Sequence, residues 1–338
     1  MADRFELSYV YARVCGSLSR AFLGPKAVEL ARSGRVAELW RAFFGEPAPL
    51  LTEAALVSAA ERRAVAESLA GFRKMAAKLR TDEPFFDALR RKAEFARVKR
   101  ILLTLRNGAK MPGDLPPSDD PALAPGFDET AFPDIGRMFA GGRYGWIGEK
   151  ALEDLPAAEN RLDRQYYSEL WLEARRLGRD KAGAVPRLVR EEVELQNVAW
   201  ALRLKRYYGM GRDQIAPRLV ELEGVDATGA ALKALEFHFD QRADWARWSW
   251  ESLIPEDERG GPFYLDVRGL ELRARRRVYR AARRALHLHP FTYTPLYCYF
   301  KIKEFETAAL VGVIEGIHLG APFEEMASFA AGITGGAA

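Results

Sequence analysis

Apolar residues recur at every third or fourth position along most of the chain, within segments rich in Ala, Leu, Arg and Glu. This spacing places the apolar side chains on one face of an α-helix, and these four residue types are good helix formers. Strict alternation of apolar and polar residues, which is typical of half-exposed strands, is rare. The pattern therefore predicts an all-α fold, or one very close to it.

Proline and glycine interrupt the helical pattern at four places. The strongest interruption is 111–133, which contains six prolines, and shorter ones occur at 209–211, 224–229 and 255–262. Proline lacks a backbone donor and glycine favours turns, so a continuous helix cannot cross 111–133. We interpret this segment as the clearest boundary between helical units, and the other three as loops within or between further units.

Three segments of the chain align without gaps, which indicates an internal repeat. They are KAEFARVKRILLTLR from Lys92, EVELQNVAWALRLKR from Glu192 and EFETAALVGVIEGIH from Glu304. An acidic residue recurs in register at Glu94, Glu194 and Glu306, and apolar residues follow it four and eight positions later on one helical face. Amphipathic helices of similar composition can align by chance, which is the ordinary alternative to a repeat.

Tyrosine spacing supports the second and third copies. Tyr167 and Tyr279 each stand 27 residues before the aligned glutamate of their copy. The first copy has no tyrosine at this spacing, so its identification depends on the aligned helix alone.

Composition and charge narrow the class of protein. The 338 residues are 48% hydrophobic, and 51 basic against 47 acidic residues give a net charge of only +4, unlike the one-sided charge of dedicated nucleic-acid binders. Cys15 and Cys298 lie far apart without metal-binding spacing, which indicates two ordinary thiols in a reducing compartment. The N-terminus does not resemble a secretory signal, and the longest uncharged stretch, 285–300, is too short and too interrupted to span a membrane.

Sequence signatures of catalysis and cofactor binding are missing. The glycine-rich stretch 141–146 lacks the lysine and hydroxyl residue of a phosphate-binding loop, and no GxSxG, HExxH, EF-hand or dinucleotide-binding motif occurs. His287 and His289 could supply two metal ligands on a strand, but Pro290 favours a helix end and a turn there. We therefore predict no catalytic residues, no metal and no cofactor.

Two clusters could serve as binding surfaces. Arginines concentrate in 270–289, where a helix would align five of them on one side: Arg273, Arg276, Arg277, Arg280 and Arg284. Such a stripe could bind phosphates, a polyanion or the acidic side chains of a protein, or it could be solvated or paired internally. Trp245, Trp248 and Trp250 would form either core packing under a loop or an interface anchor.

Four segments resemble a known family. They are YVYARVCGSL from Tyr9, ENRLDRQYYSEL from Glu159, REEVELQNVAWALRLKRYY from Arg190 and HPFTYTPLYCYFKIKEFE from His289. Together they are similar to the central-stalk adaptor of V-type and archaeal-type rotary ATPases, which is designated C in prokaryotic enzymes and d in eukaryotic ones. The family's asparagine after the repeated acidic residue remains only as Asn197, with Arg97 and Ala309 in the other copies.

The resemblance implies an all-helical funnel of three similar domains around a pseudo-threefold axis, here 1–118, 119–217 and 218–338. It implies a non-catalytic part of the rotor, one copy per complex, that links the D- and F-type central-shaft subunits to the membrane proteolipid ring and transmits torque for ion transport. The expected location is cytoplasmic and peripheral to the membrane, without a membrane span and without nucleic acid. Residues expected to contact partners are Glu94, Arg97, Glu194, Asn197, Glu304, Glu306, Arg276 and Arg280.

Two other functions remain open at the level of sequence. A helical scaffold or nucleic-acid-associated protein could use the arginine-rich helix 270–289, although no aromatic platform accompanies it. An enzyme would need acid and base residues that are distant in sequence to meet in the fold.

Overall fold

The computed structural model describes residues 4–79, 83–108, 126–254 and 262–334. Over these residues the chain is helical with no β-strand, and its only bridge joins Leu222 to Val225, so the predicted all-α fold is confirmed. The α-helices are α1 (Arg4–Leu18), α2 (Pro25–Leu30), α3 (Val36–Phe44), α4 (Glu53–Ala76), α5 (Pro84–Arg106), α6 (Ile135–Met138), α7 (Glu149–Glu153), α8 (Leu155–Arg176), α9 (Arg179–Ala182), α10 (Val185–Tyr208), α11 (Arg212–Ile215), α12 (Gly229–Ala234), α13 (Arg242–Trp245), α14 (Val267–Leu288), α15 (Thr294–His318) and α16 (Phe323–Thr334).

Six helices of 22 to 25 residues dominate the fold and occur as three successive pairs: α4 with α5, α8 with α10, and α14 with α15. The first helix of each pair begins at a capping side chain, since Thr52, Asp154 and Asp266 each accept a hydrogen bond from a first-turn amide. The second helix of each pair has a proline in its first turn, where the missing donor costs nothing. Capping side chains and first-turn prolines therefore mark the beginning of all six helices.

The six long helices are arranged as a ring. Their packing order is α4, α15, α14, α10, α8 and α5. The ring closes between α5 and α4, where the Phe72 and Phe86 rings lie 6.2 Å apart. The second helix of each pair therefore packs against the first helix of the next pair, and the last pair returns to the first. The funnel shape and the threefold axis stay predictions.

The aligned segments occupy α5, α10 and α15, and their apolar positions are buried as predicted. The residues four and eight positions after the aligned glutamates are at most 1% exposed in all three copies: Val98, Leu102, Val198, Leu202, Leu310 and Ile314. Tyr167 and Tyr279 are also equivalent, because each is buried and stands twelve residues after the first residue of its helix, α8 or α14.

Smaller helices pack on the outside of the ring. Residues 27–64 share a core with 309–330, which joins α2, α3 and α4 to α15 and α16, and residues 195–274 form another core around Trp245. The first and last parts of the chain are therefore packed together. The domain boundaries at 118 and 217 stay predictions, and most of the proline-rich segment lies outside the described residues.

The predicted helix ends near glycine and proline are confirmed where the structure describes them. Helix α10 ends at Tyr208, and Gly209 follows with a φ of 62°, a conformation that glycine adopts without strain. Helix α14 ends at Leu288, just before His289 and Pro290. None of the helices in the described ranges combines the length and the hydrophobicity that a membrane span requires.

Candidate functional site

A cavity of about 510 Å³ lies inside the ring, and all six long helices line it. Apolar side chains such as Val65, Leu195 and Val311 form much of its wall. Alanines keep the interior open, since the lining includes Ala93, Ala96, Ala199, Ala274 and Ala308. A cavity of this size and character suits an apolar segment or ligand.

The first residues of the three aligned segments meet at this cavity. Lys92 Nζ lies 2.8 Å from a carboxylate oxygen of Glu304, which joins the first and third copies. Lys301, one turn before Glu304, places its Nζ 2.8 Å from Glu192 and 2.9 Å from Glu304. The equivalent positions 92 and 304 are thus joined directly by an ion pair, and position 192 is joined to them through Lys301.

Lys301 and Glu192 are buried, so each of them needs a partner to offset the loss of contact with water. Lys301 is only 1% exposed, and Glu192 also accepts hydrogen bonds from the hydroxyls of Tyr297, at 3.0 Å, and Tyr167, at 3.3 Å. Burial by itself lowers the pKa of Lys301, but attraction from Glu192 and Glu304 raises that pKa well above its ordinary value. Burial likewise opposes ionisation of Glu304, yet Lys301 and Lys92 bring the pKa of this carboxyl below its ordinary value. Lys301 and Glu304 are therefore held in their charged forms.

Charges in the cavity lining are balanced. Lys92, Lys301 and Arg275 face Glu192, Glu271 and Glu304. Arg275 donates to Glu271 at 3.1 Å, so these polar groups are already paired with one another. The cavity accordingly combines apolar walls with fixed ion pairs, and it has no strong preference for one sign of charge.

Three of the predicted contact residues attach outer segments to the ring. The Gly126 N–H donates to Glu94 at 2.9 Å, and the Phe22 N–H donates to Glu306 at 2.7 Å. Asn197, which is fully buried, accepts from the Val220 N–H at 2.8 Å and donates to two backbone carbonyls. Glu94 and Glu306, at the repeated acidic position, therefore bind the backbone of an outer segment in the first and third copies. In the second copy Asn197, three residues after that position, does so.

The remaining predicted residues of the aligned helices also have internal partners. Arg97 is 3% exposed and is paired with Glu129, and Glu194 accepts from Arg190 at 2.6 Å on the surface of α10. Among the predicted residues of the aligned helices, the structure places Glu304 alone in the central cavity. Partner contact by each of these residues stays a prediction.

Arg276 and Arg280 lie away from the central cavity. They line a second cavity of about 610 Å³ between α10, α14 and residues 252–253. All five arginines that the sequence places on one side of α14 line this cavity, so the predicted stripe is confirmed.

Lys92, Glu192 and Lys301 were not among the predicted site residues. A signal was present, because the first position of each aligned segment is charged, with two acidic residues and one basic residue. Opposite charges at equivalent positions of a repeat suggest that these positions meet near the centre. Lys301 gives no such signal, since its equivalents in the other copies, Leu89 and Val189, are apolar.

The other candidate residues are structural. Trp245 and Trp248 are buried and donate to the carbonyls of His238 and Ala230, which favours the prediction of core packing for both. Cys15 and Cys298 are free thiols, and burial raises the pKa of Cys298. Among the described residues, no group of three or more His, Cys, Asp or Glu side chains is arranged to hold a metal ion.

Comparison with known proteins gives two matches. The family described as ATP synthase (C/AC39) subunit matches residues 47–329, which include all six long helices. An uncharacterized protein of Treponema pallidum (strain Nichols) is 29% identical over 324 residues, covering 92% of each chain.

Proposed function

Since the chain belongs to the ATP synthase C/AC39 subunit family, we propose that it is the adaptor of the rotor in a V-type or archaeal-type ATPase. In this role it links the soluble central shaft to the membrane proteolipid ring and transmits torque between ATP chemistry and ion transport. It contributes no active site of its own.

The central cavity is the observation that carries this proposal. It is surrounded by all six long helices, so a shaft end inserted there would contact every part of the ring. Apolar walls would supply affinity by burying surface, and the fixed charges of Lys92, Glu192 and Glu304 would orient the inserted end. We assign the D- and F-type shaft subunits to this cavity.

Rigidity is the second requirement for torque transmission, and the packing of the ring supports it. One continuous core contains residues from α1, α4, α5, α8, α10, α14 and α15. Densely packed helices resist deformation, and the extensive contact between α15 and α4 joins the last pair to the first. The buried Lys301–Glu192 pair and the more exposed Lys92–Glu304 pair add cross-links at the centre.

The complete assignment places one copy of the chain in each complex, on the cytoplasmic side of the membrane. The proteolipid ring would bind the surface opposite the shaft, so the protein would be peripheral to the membrane through its complex. Function would then depend on two faces that bind different partners.

Filling the cavity tests the shaft assignment. Ala96 and Ala308 line the cavity and are exposed to its interior, so a tryptophan at each position would occupy the space without disturbing the core. We expect the Ala96→Trp/Ala308→Trp variant to lose co-purification of the shaft subunits from solubilised membranes while retaining the proteolipid ring. The measurement is the set of proteins recovered by affinity capture, with helical content checked by circular dichroism.

A matched control is available on the outer surface of α4. Ala66 is exposed and does not line the cavity, and Ala66→Trp should leave both partners bound. Capture of shaft subunits by the cavity-filled variant at the wild-type level would contradict insertion into this cavity. Failure of the wild-type chain to capture either partner would contradict the adaptor role itself.

A further inference from the structure

The second cavity has a composition that neither the helix ring nor the adaptor role requires. Six arginines line it: Arg187, Arg273, Arg276, Arg277, Arg280 and Arg284. In the described part of its lining, Glu191 is the one carboxylate. Whereas the central cavity is balanced, this one concentrates positive charge within about 610 Å³.

Internal contacts satisfy part of this cluster. Arg277 lies 2.8 Å from Glu191 and stacks over the Trp250 ring at 4.6 Å, and Arg276 donates to the Gly332 carbonyl. Arg187 is 3.7 Å from the same Glu191. A single carboxylate is therefore shared between two guanidinium groups.

The other three arginines of the cavity differ in their distance from acidic side chains. Within the described residues, no carboxylate lies within ion-pair distance of Arg273, Arg280 or Arg284. Burial lowers the pKa of Arg276, and repulsion from Arg273 and Arg280 lowers it further, so the cluster is electrostatically unfavourable as it stands. An anion bound among these side chains would remove that repulsion.

We propose that this arginine cavity binds an anion carrying two or more phosphates, either free in solution or as the headgroup of an anionic phospholipid. Arg273, Arg277, Arg280 and Arg284 form a row along α14 that is about 16 Å long at 1.5 Å per residue. This length accommodates more than one phosphate. The site is independent of the rotor role.

Geometry favours phosphate over carboxylate. Arg187 belongs to α10, and the other five arginines belong to α14, so donors approach the cavity from two helices. A tetrahedral phosphate presents oxygens in several directions and can accept from both sides at once, and the planar guanidinium fork matches two of them. The cavity volume lies in the range of small-molecule sites.

Titration of the purified chain with inorganic tripolyphosphate tests the site. Calorimetry at about physiological ionic strength should show saturable binding, and the same ligand should raise the melting temperature. The Arg280→Gln/Arg284→Gln variant should bind at least about tenfold more weakly, because it loses two charge-assisted contacts. Both side chains are exposed, so the variant should fold normally.

The matched control removes the same charge from the same helix. Arg268 and Arg283 are exposed on α14 and do not line the cavity. The Arg268→Gln/Arg283→Gln variant should retain wild-type affinity for tripolyphosphate. Equal weakening in both double variants would contradict a built site, since it would show only general attraction between opposite charges.

Vesicles distinguish the two phosphate sources. Binding to phosphatidylcholine vesicles that contain cardiolipin, lost in Arg280→Gln/Arg284→Gln and without measurable tripolyphosphate binding, would assign the site to a lipid headgroup. Binding of polyglutamate in place of both phosphate probes would overturn the proposal in favour of an acidic protein partner. Absence of binding to every probe would also overturn it.

A further variant tests whether carboxylates of the chain itself neutralise the arginine cavity. Segment 255–261 follows the cavity residues in sequence, contains Glu256, Asp257 and Glu258, and lies outside the described residues. The Glu256→Gln/Asp257→Asn/Glu258→Gln variant should bind tripolyphosphate at least as tightly as the wild type. If only this variant binds, the native site is neutralised internally and the proposal fails for the native protein.

Discussion

The environment of Lys301 is formed by helices that are distant from one another in sequence. Its ammonium group is almost fully buried between Glu192 and Glu304, which belong to different helices. Removing charges from water is costly, and the mutual attraction of a buried pair offsets this cost only when the geometry is good. Loss of one member therefore leaves an uncompensated charge, which is more harmful than replacing the pair by apolar residues.

Lys301→Met should destabilise the protein by about 3–5 kcal/mol at neutral pH, because the buried carboxyl group of Glu192 would lose its cationic partner. The pKa of Glu304 is below its ordinary value in the fold, so its contribution is complete above the unfolded pKa and is lost as the pH falls through the folded one. The penalty of Lys301→Met should therefore shrink below about pH 4, where carboxylates bind protons. Urea unfolding at several pH values measures this.

The control for Lys301→Met is a more exposed ion pair between helices. Lys99 lies 2.6 Å from Asp163, and both side chains keep more than a quarter of their surface exposed. Lys99→Met should cost no more than about 1 kcal/mol. The Lys301→Met/Glu192→Leu variant should recover most of the lost stability, and a double variant less stable than Lys301→Met alone would contradict the buried-charge explanation.

At the level of elements, the contact between α15 and α16 depends on two glycines one turn apart. A Cβ atom at Gly312 would overlap the Phe329 ring, and one at Gly316 would lie 2.7 Å from Met326 Cγ. Glycine within a helix is intrinsically unfavourable, by about 0.5–1 kcal/mol relative to alanine. Its presence here is explained by the close approach of the two helices.

Gly312→Ala should destabilise the docking of α16 by about 1 kcal/mol, the low end of overpacking costs, because the half-exposed Phe329 ring must move away from the new methyl group. Hydrogen exchange of residues 323–334 should accelerate, while exchange in α8 changes little. Adding Phe329→Ala removes the overlapping ring and should restore part of the loss. Gly16→Ala is the control, since no atom lies within 4 Å of the new methyl group and α1 should be unchanged or slightly stabilised.

At the scale of the whole molecule, the contact between the first and the last helix pair holds the ring together. Phe72 on α4 is fully buried and packs against Phe300 on α15, with the ring centres 5.2 Å apart. The same Phe72 contacts Phe86 on α5, where the ring of helices closes. One side chain thus connects both neighbours of α4.

Phe72→Ala should cost about 3–5 kcal/mol, the usual range for removing a buried phenylalanine. If the ring is one cooperative unit, exchange protection should also fall in α8, which is not a neighbour of α4 in the ring order. Phe72→Leu preserves more of the volume and should cost less than about 1.5 kcal/mol. Protection lost only in α4 and α15 would show that the ring does not unfold as a unit.

Local sequence patterns are sufficient to specify the helices and much of their orientation. Val98, Val198 and Leu310 are buried because their three- and four-residue spacing to other apolar residues creates one apolar face, whatever that face packs against. Helix ends at Gly209 and before Pro290 follow equally from local backbone chemistry. The arginine stripe of α14 was predictable for the same reason.

Which helix faces meet depends on the packing of the whole chain. Lys92, Glu192 and Lys301 form ion pairs because three helices far apart in sequence converge on one cavity. Arg97 pairs with Glu129, and Asn197 binds the backbone at Val220, through outer segments whose paths local patterns do not specify. Helical periodicity is set within a few residues along the chain, whereas contacts between helices depend on packing angles and connections across the whole molecule.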